Sequence, residues 1–209
     1  MPHEPPDFPL FRRDADSAPG WQRLHQKSLL HSPFLQVEEI TYRTPSHSAG
    51  DLRWTVVRRK NAVIVAPRLP DGRFLLIHQE RYPVQRTLWE FPAGQIDDIH
   101  GSANPEVICA TAARELQEET GYALDPVAGR LTPLGYYFSS QGFTDEHAYL
   151  FVADGLVAAP VDRLGEGDEN IHEVRAFSAD ELVTMIADNT IADANTLVLF
   201  ARMKATGIL

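Results

Sequence analysis

Three glutamates stand at i, i+3 and i+4 in the segment ARELQEETGY, residues 113–122: Glu115, Glu118 and Glu119. On a helix that spacing places all three on one face within a single turn. Glu115 and Glu119 repel as a like-charged pair, and two unit charges about 4 Å apart in a surface-like environment cost roughly 4 kcal/mol. A solvated helix face is the ordinary reason for such a run. A divalent cation is the other, because hard cations such as magnesium take oxygen ligands, commonly one or two carboxylates together with phosphate oxygens and water. With a cation between them the repulsion becomes attraction. Arg114 stands four residues before Glu118, so a helical ion pair is open to it. Upstream, the segment EFPAG (90–94) can bring backbone carbonyls to the same point.

These residues need a helix to carry them, and the flanking sequence supplies one. Asn104, Pro105 and Glu106 suit an N-cap, a first turn and an acidic residue near the positive helix end. Ile108, Ala112 and Leu116 form an i, i+4 apolar row, and Gly121 suits the left-handed position just past a helix end. The spacing predicts a helix over about 105–119. A second helix is predicted after the capping box in SADEL (178–182), where Ser178 faces Glu181, and a third over 193–205. Strand character marks 34–43, 52–60, 62–69, 73–81, 88–94, 130–138, 146–153 and 172–177. The first two of these read as a hairpin, and PDG is a turn between the next two. Residues 1 to about 30, rich in proline and charge, read as an irregular arm. Many strands precede one helix, so the expectation is a mixed α/β core from about residue 60 with a small β appendage before it, not a regular doubly wound sheet.

Composition bounds the partners. A formal net charge of −10 lacks the basic footprint that nucleic acid or an anionic membrane would require. It leaves room for a small anionic ligand, because a bound cation reverses the local sign. The single cysteine, Cys109, excludes an internal disulfide, and its apolar neighbours give it a packing role. The first residues lack the apolar core of a signal peptide, and no stretch approaches the roughly 20 apolar residues of a membrane span. A cytoplasmic location is the expectation.

Arg114, Glu115, Leu116, Glu118, Glu119, Gly121 and Tyr122 together resemble the C-terminal half of the Nudix box, G-x5-E-x7-R-E-U-x-E-E-x-G-U, where U is an aliphatic or aromatic residue. Glu106 lies eight residues before Arg114, as that pattern asks, but eleven residues separate Gly94 from Glu106 where the pattern has five. The chain therefore carries an insertion, IHGSAN (99–104), which is expected to bulge into solvent. WEFPAGQIDD (89–98), SSQGFTDE (139–146) and GDENIHEV (167–174) resemble segments of ADP-ribose pyrophosphatases within that family.

The resemblance implies a Nudix α/β/α sandwich with a mixed β-sheet (61–209) after an N-terminal arm and β hairpin region (1–60) used for dimerisation and base stacking. It implies magnesium, with manganese as the alternative ion, held by Glu115, Glu119 and the backbone carbonyl of Ala93, with Glu118 as an additional or bridging ligand. Arg114 orients the carboxylates. Trp54 matches an aromatic that stacks on adenine, although a half-buried strand tryptophan would look the same. Arg59 and Arg81 match arginines that contact the nucleotide or its phosphates, and Ile96 and Ser140 belong to segments that line the substrate. The general base is sought on a loop: Glu169 first, with Glu166 and Glu146 as alternatives. The activity implied is hydrolysis of a nucleoside diphosphate sugar, ADP-ribose to AMP and ribose 5-phosphate, by a homodimer. Gln141 stands where ADP-ribose hydrolases usually carry proline, so GDP-mannose, NADH, a dinucleoside polyphosphate, or binding without catalysis stay open.

Overall fold

A computed structural model describes residues 7–12, 17–47, 50–97, 104–165, 167 and 169–209. In chain order the strands are β1 (Gln22–His31), β2 (Gln36–Arg43), β3 (Leu52–Arg58), β4 (Ala62–Pro67), β5 (Phe74–Arg81), β6 (Arg86–Glu90) and β7 (Ala93–Gln95). Helix α1 (Pro105–Thr120) follows, then β8 (Tyr122–Leu124), β9 (Arg130–Phe138), β10 (His147–Asp154), β11 (Leu156–Ala158) and β12 (Ile171–Phe177). Helices α2 (Ala179–Ala187) and α3 (Ala194–Ala205) end the chain.

The central sheet has the order β7-β4-β10-β9, with β10 parallel to β4 and the other pairings antiparallel. Its two middle strands read AVIVAP and HAYLFVAD, nearly continuous apolar runs, because both faces are covered. Alternation sends Val63, Val65, Tyr149 and Phe151 to one side, where Ile108, Ala112 and Leu116 of α1 meet them. Ile64, Ala66, Leu150 and Val152 face the other side, against Leu182 of α2 and Leu199 and Met203 of α3. The result is the mixed α/β/α sandwich expected. Each fully buried Ile or Leu in these layers contributes about 1.5–3 kcal/mol.

Helix α1 starts where its sequence says. The Asn104 side chain accepts from Glu106 N, Pro105 opens the first turn, and Gly121 closes it at φ 71° with its N–H on Gln117 O. The capping box at Ser178 and Glu181 is formed in both directions. Cys109 packs beside the α1-side core, and burial pushes its thiol up to about 11, so it is a packing group. Of the insertion at 99–104, residues 99–103 lie outside the described residues, and Asn104 is the cap of α1.

Three expectations need correction. The arm holds a ten-residue strand: β1 pairs antiparallel with β2, making a three-stranded sheet β1-β2-β3 instead of a hairpin. Every residue of β1 is exposed, so no buried face imprints an alternating pattern on its sequence. Before it, Phe8 is buried edge-on against Tyr149 and Phe151, so this stretch of the arm is a lid on the α1-side core. Third, 88–94 is not one strand. Glu90 pairs with Ile77 of β5, in the sheet β12-β5-β6, whereas Ala93 pairs with Ile64 of β4. The chain changes sheets at Phe91–Pro92. This crossing delivers Ala93 and Gly94 to the open edge of the central sheet, beside the last turn of α1.

Candidate active site

The two helical glutamates at i and i+4 are withdrawn from water. Glu115 is 6% exposed and Glu119 fully buried. Glu119 Oε2 accepts the N–H of Ala93 at 2.8 Å, while its Oε1, buried, has no hydrogen-bond partner. Val65 N donates to Pro92 O, which fixes the ladder phase between β4 and β7. Ala93, one residue on, therefore turns both its N–H and its carbonyl away from β4 and toward the open edge where Glu119 lies. Gly94 is pressed against Glu115: a Cβ built there would fall 1.8 Å from Glu115 Cδ. Glycine at this position serves close approach.

Arg114 bridges two of the acids. Its Nη1 donates to Glu118 at 2.6 Å and its Nη2 to Glu115 at 2.5 Å. Among the described residues no group of three or more His, Cys, Asp or Glu side chains is already arranged around an ion position. The guanidinium supplies the positive charge that draws Glu115 and Glu118 toward it. Glu119 receives no such bond.

Electrostatics follow from burial. Desolvation pushes the Glu115 carboxyl up to about 7, with Arg114 pulling down and Glu118 and Glu169 pushing further up. Glu119 is raised well above the ordinary carboxylate range, again by burial first; the Ala93 N–H opposes this and Glu169 and Glu115 add to it. Unlike most native carboxylates, this pair therefore favours its protonated form. A cation would serve in place of the proton. The uncompensated Glu119 oxygen, the Gly94 cradle and the all-oxygen donor set fit a hard divalent ion.

The loop carrying Glu169 is anchored to α1. Ala159 N donates to Gly121 O and Gly165 N to Glu118 O, satisfying carbonyls at the helix C-terminus. Arg163 then holds the loop through the carbonyls of Gly167 and Glu169. Glu169 is thus close enough for its charge to act on both buried acids. Of the alternatives, Glu146 is engaged by Arg59 at 3.2 Å and by Ser139 at 3.0 Å, and Glu166 lies outside the described residues.

The remaining sequence-derived residues divide. Arg81 stands by the acidic helix, ion-paired with Glu90 and within the field of Glu119. Trp54, Arg59 and Ser140 are grouped elsewhere, where β3 docks on the loop 139–146. Trp54, 53% exposed, donates its indole N–H to Gly142 O at 2.7 Å, and Val57 N donates to Phe143 O. Ser140 O accepts from Phe143 N and Thr144 N, closing that loop. A groove of about 380 Å³ runs there between Trp21, Tyr42, Trp54 and Phe143. Ile96 points into the α1-side core, 3% exposed, so its side chain does not line the site. Sequence reasoning passed over Glu90. The only signal was an acid ending an otherwise apolar stretch, LWEF, where a carboxylate needs a buried partner.

A single pH experiment reads this arrangement. Unfolded, Glu115 and Glu119 lose their protons near 4.5; folded, Glu115 keeps its proton to about 7, and burial holds the Glu119 proton well above the ordinary range. The folded state binds more protons above 4.5, so the stability these protons contribute is complete below pH 4.5; the Glu115 share is lost as pH rises through about 7, and the Glu119 share is lost in the same direction. The expected result is that the increase in Tm caused by Mg2+ grows from pH 5 to pH 8, measured by calorimetry against an EDTA control. An increment that stays flat would place the cation elsewhere.

An α/β/α sandwich that brings a buried carboxylate pair, an arginine and a turn of backbone together is a recognisable class of hydrolase. The NUDIX domain family pattern matches residues 58–200. The chain belongs to the Nudix hydrolase family, whose members are typically dependent on divalent metal. It is 32% identical over 141 residues to an ADP-ribose pyrophosphatase of Bacillus subtilis, covering 68% of this chain and 70% of that one. It is also 32% identical over 169 residues to a GDP-mannose pyrophosphatase of Yersinia enterocolitica, covering 78% and 82%. A crystal structure of an ADP compounds hydrolase has the same fold, with a TM-score of 0.71 at 18% identity over 92% of this chain and 99% of that one. No helix among the described residues is long and apolar enough to cross a membrane.

Proposed function

We propose that this chain is a magnesium-dependent pyrophosphohydrolase that cleaves the diphosphate of a nucleoside diphosphate sugar, with ADP-ribose, giving AMP and ribose 5-phosphate, as its preferred substrate. The observation that carries the reading is the buried Glu115–Glu119 pair, one oxygen of which has no hydrogen-bond partner, set against Ala93 and Gly94. Glu115, Glu119, the Ala93 carbonyl and, once released from Arg114, Glu118 would hold the metal. Bound there, magnesium neutralises the diphosphate and lowers the pKa of water. Glu169 accepts the proton of the attacking water: its loop is fixed to α1 at Gly165, yet outside any helix or strand, so it can approach and retreat with substrate. Arg114 keeps Glu115 oriented, and holds Glu118 as well until a metal draws it away, and Arg81 faces the diphosphate. The relatives named pyrophosphatases support the reaction class and divide on the nucleotide.

We also propose a homodimer through the N-terminal sheet. Trp21, Leu24, Leu29, Leu30 and Phe34 are all exposed on or beside β1, and a second copy would cover them. Trp54, which meets the loop 139–146 in its own chain, would then serve the partner's substrate.

The test is a panel of ADP-ribose, GDP-mannose, NADH and a dinucleoside polyphosphate with Mg2+, with products identified by mass spectrometry. AMP plus ribose 5-phosphate is expected to form fastest. Faster release of GMP plus mannose 1-phosphate would transfer the substrate to GDP-mannose, and absence of turnover would leave a binding module. Trp54→Ala should raise KM for the adenine nucleotide more than it lowers kcat, by roughly 1–3 kcal/mol of lost stacking. Trp54→Phe, which keeps a ring but loses the bond to Gly142, should retain most of the affinity. Equal damage in both would assign Trp54 to holding the loop 139–146.

A further inference from the structure

The Arg81–Glu90 pair lies off the acidic helix, on the adjacent strands β5 and β6. Arg81 Nε donates to both Glu90 oxygens at 3.0 Å, and Nη2 donates to Oε2 at 2.5 Å. None of these three bonds uses Nη1. The Glu90 side chain is 2% exposed and that of Arg81 36% exposed. The pair thus runs from the interior outward, with the acid sealed in and the guanidinium reaching solvent. Burying a carboxylate is expensive, and a buried ion pair is weak evidence of a stabilising purpose.

The acid end is fixed from a second direction. Phe91, next in the chain, donates its N–H to Thr196 Oγ1 at 2.9 Å, and that hydroxyl donates to Asp193 Oδ2 at 2.9 Å. Asp193 is the N-cap of α3. The end of β6 is therefore tied to a helix start, and Glu90 has little freedom to follow Arg81 if it swings. At the other end, Arg81 and Glu119 sit within each other's electric field.

We infer that Glu90 is a positioning residue: its carboxylate clamps the Nε–Nη2 side of Arg81 so that the remaining N–H groups, those of Nη1 foremost, meet an anionic oxygen of the diphosphate beside Glu119. A guanidinium offers five N–H donors in one rigid plane, so fixing one edge aims the others. The inference rests on the pyrophosphohydrolase reading for its ligand and not for its geometry.

The test is a double-mutant cycle on the full chain: wild type, Glu90→Gln, Arg81→Lys and the double variant. Three quantities are read: kcat and KM for the fastest nucleotide of the panel, equilibrium binding of inorganic pyrophosphate with and without Mg2+, and the Tm shift caused by Mg2+ alone. Each single variant is expected to lose at least tenfold in kcat/KM, mostly through KM, with pyrophosphate binding weakened by a similar factor. The double variant should be no worse than Arg81→Lys, because a residue that acts through another adds nothing once that one is gone. The Mg2+ shift should persist in Glu90→Gln. Losses that multiply in the double variant, or a Glu90→Gln protein within threefold of wild type, overturn the clamp. Should Glu90→Gln fail to fold, Glu90→Asp, which keeps the charge at shorter reach, enters the same cycle with the same criteria. A wild type that turns over no nucleotide, while pyrophosphate binding still follows the cycle, would remove the enzymatic reading and leave the clamp standing.

Discussion

Glu119→Gln is expected to abolish turnover while leaving a folded protein that is more stable than wild type in EDTA. The amide matches the carboxylate in shape, and its oxygen can still accept the Ala93 N–H, now 2.8 Å from Oε2. What is lost is one negative charge in a fully buried position, where burial already drives the carboxyl toward its neutral form. Without metal that charge is a cost, and glutamine removes it; with metal it is a ligand, and glutamine is a poor substitute. Three outcomes should therefore move together: activity vanishes, the metal-free Tm rises at neutral pH, and the Tm increment caused by Mg2+ disappears, since binding to the native state alone is what produces it. A variant retaining more than about a tenth of wild-type kcat, under ~1.4 kcal/mol of transition-state stabilisation, would show that Glu119 is not a metal ligand.

Helix α1 was legible in the sequence because each of its signals is local. The Asn104 cap, the apolar row Ile108–Ala112–Leu116 and the Gly121 stop act within a turn or two of themselves, and all three are found as read. The three acids share a face for the same reason. Whatever depends on partners distant in sequence was not legible. Strand β1 is held by main-chain pairing with β2 and buries no side chain, so hydrophobic periodicity had nothing to report. The segment 88–94 looked like one strand because nothing local announces that Phe91 and Pro92 pass between sheets; the partners that decide it, Ile77, Val65 and Thr196, lie elsewhere. Ile96 belongs to a segment resembling a substrate-lining one, but its alternation in the chain turns it to the core. Glu90 is the same lesson with charge: only the fold reveals that its partner is Arg81.

Gly94→Ala should cost at least a hundredfold in activity, about 2.7 kcal/mol of transition-state stabilisation, with Tm changed by only a few degrees. The new methyl carbon would lie 1.8 Å from Glu115 Cδ, 1.9 Å from its Oε1 and 2.4 Å from its Cγ, far inside contact distance. Something must move, and the candidates are unequal. Gly94 is paired with Val63 in the β4–β7 ladder, and the α1 backbone is pinned by Ala112 and Leu116 in the core. The Glu115 side chain has three rotatable bonds and an exit toward Arg114, so it yields at little cost to the fold. Yet its carboxylate is one of the groups proposed to hold the metal. Stability and activity therefore separate, which a general packing defect would not allow. Backbone strain is not the cause, because Gly94 holds no left-handed conformation. Glu115→Asp in the same background withdraws the carboxylate by about one methylene and should relieve the overlap without restoring the ligand. A Gly94→Ala enzyme near wild-type rate would mean that Glu115 can act from a displaced position, and the paired-carboxylate site would then reduce to Glu119 and its neighbours.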